Sequence, residues 1–258
     1  MRKNFRYFRY LVLLLILLFV IVHENQVEDR VTSWAEALQV QVFAINGDGM
    51  PATDKYIKGL KLVDFKPIEN FVNKEAKRYG IPIDAIKINY GGELNSGPPQ
   101  PPRQASVLNN ILWSLHFRGW ALYQSYRNDR ESLDINLFIS YYDTSTTNAL
   151  RHSVGLQRGL IGLINGFASK DYNGSNNVVI AHELMHTMGA SDKYDQSNMP
   201  VHPGGYADPY LEPLYPQYLA EVMGGRIAVS TTRARIPEKL DQVVIGAYSA
   251  AEIGWYVQ

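Results

Sequence analysis

The stretch "VVIAHELMHTMGASDKYD" (residues 178–195) decides how the rest of the chain is read. Its apolar residues, Val178, Val179, Ile180, Ala181, Leu184, Met185 and Met188, describe a buried helix, and its polar residues are concentrated at a few positions. His182 and His186 are four apart, so on a helix their imidazoles leave from one face and can reach one ion. Neutral imidazole suits zinc, and a catalytic zinc keeps three protein ligands and leaves a position for water. Glu183, next to His182, can accept a proton from a water activated by the ion and return it to a leaving amine. Gly189 follows His186 by three residues and can end the helix in a left-handed turn. Asp192, three residues further on, would then come back toward the histidines as a carboxylate third ligand. A packed histidine pair is the ordinary alternative. A bare H-E-x-x-H arises by chance in roughly one chain in a hundred, and the added glycine and aspartate offsets make chance about a hundredfold rarer still.

The surrounding chain fits a globular domain with one apolar N-terminal segment. Of 258 residues, 46% are apolar and 19% charged, which allows a sizeable core and excludes a disordered composition. Lys plus Arg and Asp plus Glu are 25 each, so no global field favours nucleic acid. The absence of cysteine removes disulfides, thiolate ligands and cysteine nucleophiles. At the N-terminus, Arg2, Lys3, Arg6 and Arg9 precede an apolar run from Leu11 to Val22. The run reads as an uncleaved transmembrane helix, lengthened by the aromatic residues before it, because no small-residue cleavage site follows. The positive flank places the remainder outside the cytoplasm, periplasmic or extracellular; cleavage at the run would instead give a secreted protein. Residues 1–22 are thus the anchor, 23–36 a polar stalk, and 37–258 the domain.

Within the domain the sequence predicts strands over 38–45, 83–90, 134–143 and 158–169. It predicts helices over 65–80, with Pro67 in the first turn, and over 106–124. Ser175, Asn176 or Asn177 is expected to cap the motif helix. Residues 95–104 read as an extended proline-rich loop, 199–218 as irregular, and 239–255 as a C-terminal helix. The order implies an α/β (α+β) fold, a mixed twisted sheet with packed helices. The motif helix would lie between a larger lobe (37–192) and a smaller, loop-rich one (193–258). The glycine-interrupted strand near 158–166 is the expected sheet edge.

H-E-x-x-H-x-x-G-x-x-D, with Tyr194 two beyond the aspartate, resembles the metzincin metallopeptidases, closest to the snapalysin-like branch. "LAEVMGGRI" (219–227) is similar to the family's Met-turn, with Met223 as its methionine. The resemblance implies one catalytic zinc on His182, His186 and Asp192, Glu183 as general base, and an edge strand that binds an extended peptide or protein substrate. Gly225 departs from members that carry a tyrosine two residues after that methionine, leaving Tyr194 or Arg226 to stabilise the oxyanion. A gluzincin-type arrangement would use Glu221 as third ligand, and His202 is a further alternative. A zinc-stabilised binding module without turnover is the competing function. His23, His116 and His152 read as surface or packed residues.

Overall fold

The computed structural model describes residues 10, 14, 29–99, 102, 106–127, 134–147, 149–150, 153–156 and 160–255. The expected anchor lies almost wholly outside the described residues, and among those described no helix is long and apolar enough to cross a membrane.

Residues 38–45 carry β1 (Leu38–Asn46), an inner strand of the sheet. Val40, Val42 and Ala44 join Leu137, Ile139, Tyr141 and Ile164 in one core, while Phe43 and Ile45 join Phe138, Ile161 and Leu163 in a second. Both faces of β1 are therefore covered, as expected of a parallel sheet with helices on each side. After β1 come α1 (Pro51–Lys58) and α2 (Leu62–Arg78), then β2 (Ile86–Leu94), α3 (Val107–Arg127) and β3 (Ile135–Tyr142). A three-residue strand, β4 (Val154–Leu156), precedes β5 (Ile161–Phe167), and the motif helix α4 (Asn173–Met188) follows.

The sheet order is β2-β1-β3-β5-β4, with β2, β1, β3 and β5 parallel and β4 antiparallel to β5. The order accounts for the two layers. The step from β1 to β2 and the step from β2 across to β3 run in opposite directions, so right-handed crossovers place their helices on opposite faces. Phe65, Ile68 and Val72 of α2 accordingly share a core with Ile180, Leu184 and Met188 of α4. Phe117 and Ala121 of α3 pack on the other face, around Phe138.

Several expectations are corrected. The sheet edge is β4, not the strand at 158–166: β5 is flanked by β3 and β4. A strand of three residues is too short for an alternation to register. The glycines of β5 answer to packing, since a Cβ at Gly162 would lie 2.8 Å from Leu137 Cδ2. Helix α2 starts at Leu62, so Pro67 sits inside it. Asp64 Oδ2 accepts the Lys61 N–H at 2.7 Å and sets the earlier start, at the cost of the one helical bond that proline cannot donate. Ser175, Asn176 and Asn177 lie inside α4 instead of capping it. The helix continues from a 3₁₀ turn at Lys170–Tyr172 whose cap is Ser169, and Asn176 instead pairs with both backbone groups of Phe167. The expected 239–255 helix is confined to α5 (Ala247–Glu252). Val243–Val244 form a strand, β9, beside β6 (Ala220–Glu221), as suits β-branched residues before a glycine. β7 (Ile227–Ser230) and β8 (Arg233–Arg235) form a separate antiparallel pair. Residues 199–218 carry no helix or strand, as expected. In the expected stalk, Val31 and Trp34 are buried in the main core.

Phe138 is fully buried, 5.3 Å from the Phe43 ring and 4.7 Å from Trp120. Phe138→Ala should cost about 3–5 kcal/mol in denaturant unfolding, and a cost near zero would show that this layer is not the cohesive core described here.

Candidate metal centre

Helix α4 ends at Gly189, which has φ +110°, a left-handed conformation that strains any residue with a Cβ. The Ala190 N–H reaches Met185 O at 3.0 Å and the Gly189 N–H reaches His186 O at 3.1 Å. These are the two bonds of a Schellman turn. The reversal brings Asp192 back over the last two turns of the helix. Asp192 Oδ1 lies 3.2 Å from His182 Nε2 and 3.1 Å from His186 Nε2. The two imidazoles stand edge to face at 90°, with centroids 4.7 Å apart.

Each imidazole is oriented from behind. His182 Nδ1 lies 2.9 Å from Val222 O, and His186 Nδ1 lies 2.8 Å from Ala190 O. A carbonyl can only accept, so each Nδ1 donates and Nε2 is the ring nitrogen turned toward Asp192, available to bind an ion when it carries no proton. His182, His186 and Asp192 form the group among the described residues that could hold a metal ion. The spacing suits zinc: ligand atoms around a tetrahedral ion with bonds of about 2.0–2.1 Å stand about 3.3 Å apart.

Without an ion the three groups pair with one another. Burial pushes the Asp192 carboxyl up, but hydrogen bonds from His182 and His186 outweigh it and hold the carboxyl far below its ordinary range. Burial pushes His182 down; its bond to Asp192, the charge of Glu183 and the Val222 carbonyl together leave it raised. Glu183 itself is buried.

The turn at 222–224 supports the site from below. Val222 supplies the carbonyl for His182, and Met223, next to it, is fully buried. Glu221 Oε2 accepts the N–H groups of Met223 at 2.6 Å and Gly224 at 2.8 Å, and Oε1 accepts Gly246 N–H at 3.0 Å. Glu221 is therefore a brace for this turn and lies outside the metal-competent group. His202 lies outside it too, exposed, with Nε2 3.2 Å from Pro209 O. His116 is exposed on α3, and His23 and His152 lie outside the described residues.

Tyr194 stacks beside His182, with ring centroids 6.1 Å apart. Burial, with the Asp192 charge added, pushes its phenol up to about 12. At Gly225 a Cβ would lie 4.0 Å from Tyr194 Cδ1, so this ring flanks the position two residues after Met223. Arg226 is half-buried next to it.

Sequence reasoning found the three candidate ligands and Glu183 but missed their supports. Val222 O and Ala190 O are backbone atoms that leave no residue signature. Glu252, which holds the loop on either side of Asp192, lies 60 positions from it in sequence and has no spacing to mark it.

Gly189→Ala should destabilise the protein by about 1–2 kcal/mol and weaken zinc binding as the loop carrying Asp192 is displaced; calorimetric titration of zinc into the variant checks this, and unchanged affinity would show that the turn does not place the ligand. No protein-family model matches the chain and no curated protein matches it.

Proposed function

We propose that the protein is a zinc-dependent endopeptidase, a metzincin-like hydrolase held outside the cytoplasm by its N-terminal segment. One observation carries this reading: Asp192 Oδ1 meets both histidine Nε2 atoms within 3.2 Å, with Glu183 buried on the same helical turn. A purely structural ion usually takes four protein ligands, and three are grouped here among the described residues, leaving a position open. A structural ion also has no need of a base beside it.

His182, His186 and Asp192 would hold the ion, with the imidazoles kept in one tautomer by Val222 O and Ala190 O. Zinc in that position would lower the pKa of water toward about 7 and polarise a peptide carbonyl. Glu183 takes the proton from the attacking water as the new C–O bond forms. It then delivers that proton to the amine nitrogen as the C–N bond breaks. Tyr194, a phenol protonated near neutral pH that stands beside His182, would donate toward the oxygen that gains charge. β4, the antiparallel edge strand beside α4, is unpaired on one side among the described residues and would offer backbone groups there to an extended substrate.

The test is cleavage of a diverse peptide mixture by the full-length protein with zinc, read by mass spectrometry. Glu183→Gln should bind zinc as wild type does and lose about 10²–10⁴-fold in turnover, the ordinary contribution of a general base. Asp192→Ala should lose zinc as well as activity. Near-normal cleavage by Glu183→Gln would remove Glu183 from the mechanism. A folded, zinc-loaded wild type that cleaves nothing would favour a non-catalytic zinc-stabilised module.

A further inference from the structure

Asp192 differs from the other two candidate ligands in that no helix fixes it. Its side chain is 45% exposed, against 13% and 15% for His182 and His186. Its position depends on what holds residues 191 and 193. Backbone bonds hold part of this loop, Lys193 N–H on Met223 O at 2.9 Å and Val201 N–H on Lys193 O at 2.8 Å, and the side-chain holder is Glu252, the last residue of α5: Oε2 accepts the Ser191 N–H at 2.9 Å, Oε1 accepts the Ser191 hydroxyl at 2.6 Å, and Oε2 also receives Lys193 Nζ at 2.6 Å. One carboxylate therefore grips the residues on both sides of Asp192.

Helix α5 has only six residues, too few to be stable alone, so it relies on packing, with Ser249 and Ala250 buried, and on ties at its ends. Its first end is tied to Glu221 through Gly246. The other end is tied to the N-terminal segment. Trp34 Nε1 donates to Ile253 O at 2.8 Å, and its ring packs edge-on against Trp255 with centroids 5.4 Å apart. The chain passes so near that a Cβ on Gly254 would lie 3.0 Å from Thr32 O. Trp34 adopts φ +48°, a strained value for a residue with a Cβ, which persists where surrounding contacts over-determine it.

We propose that Glu252 and Trp34 are positioning residues for the third metal ligand: the segment that enters the domain from the N-terminus fixes the end of α5, and α5 fixes the loop that carries Asp192. The inference rests on the metal reading of the site and goes beyond it, because it makes residues 31–34 part of the support of the metal centre. Anything that loosens those residues loosens Asp192.

The experiment measures zinc affinity of the full-length protein by competition with a chromophoric chelator, beside thermal unfolding of the same metal-free samples. Glu252→Ala should bind zinc about 10-fold or more weaker than wild type, in the range expected for outer-shell partners of a ligand. Glu252→Gln, which keeps one acceptor oxygen and loses the charge, should fall between the two. Trp34→Phe, which keeps an aromatic ring and removes the N–H, should weaken zinc without abolishing it. Phe138→Ala separates positioning from general stability: it should unfold more easily yet bind zinc like wild type. Wild-type affinity in Glu252→Ala and Trp34→Phe would overturn the inference. So would losses that follow stability across all four variants. A wild type that binds no zinc would overturn the metal reading itself, and the wild-type sample alone distinguishes that case.

Discussion

A helix can offer two ligands from one face, but a third must come from a chain that has turned back. That constraint organises the site. Gly189, at φ +110°, closes α4 with two backbone bonds and sends the chain over the face it has just left. The same turn places Ala190 O behind His186, so one change of backbone direction orients one candidate ligand and returns another. A residue with a Cβ is strained at that φ, and a different exit from the helix would leave Asp192 pointing elsewhere.

The fold supplies the rest by bringing distant segments under the helix. Val222 reaches His182 because Glu221 binds the two N–H groups that follow it. Glu221 is fully buried, and burial raises its pKa although the Ser249 side chain, the Gly246 and Gly224 N–H groups and the charge of Lys193 act against that rise. A carboxylate in this position acts as a structural pin, which is a physical reason to prefer Asp192 as the third ligand. The sheet contributes a platform whose two apolar faces are filled separately, so the layer around Phe138 can hold the domain together without touching the ligands.

Much of this was legible in the sequence, and the reasons differ by element. Strands β1 and β3 showed because both are runs of eight residues or more rich in β-branched and aromatic residues, and α4 showed because its polar positions were confined to the motif. Asp192 showed because a glycine at a fixed offset announces a reversal. Strand β4 did not show: three residues carry no period. Neither did the split of the C-terminal helix, where Val243 and Val244 pair with a two-residue strand that is itself invisible locally. The early start of α2 rested on one carboxylate reaching one N–H across three residues. Long-range supports such as Glu252 and Trp34 have no local signature, because only the folded chain brings them to what they hold.

Whether His182, His186 and Asp192 share one ion can be seen by anomalous diffraction at the zinc edge, on crystals of the zinc-loaded protein. One strong peak is expected, bonded to the two Nε2 atoms at about 2.0–2.1 Å and to an Asp192 oxygen at about 2.0–2.2 Å. A peak bound by Glu221 or His202 in place of Asp192, or no peak between the two histidines, would contradict a shared ion.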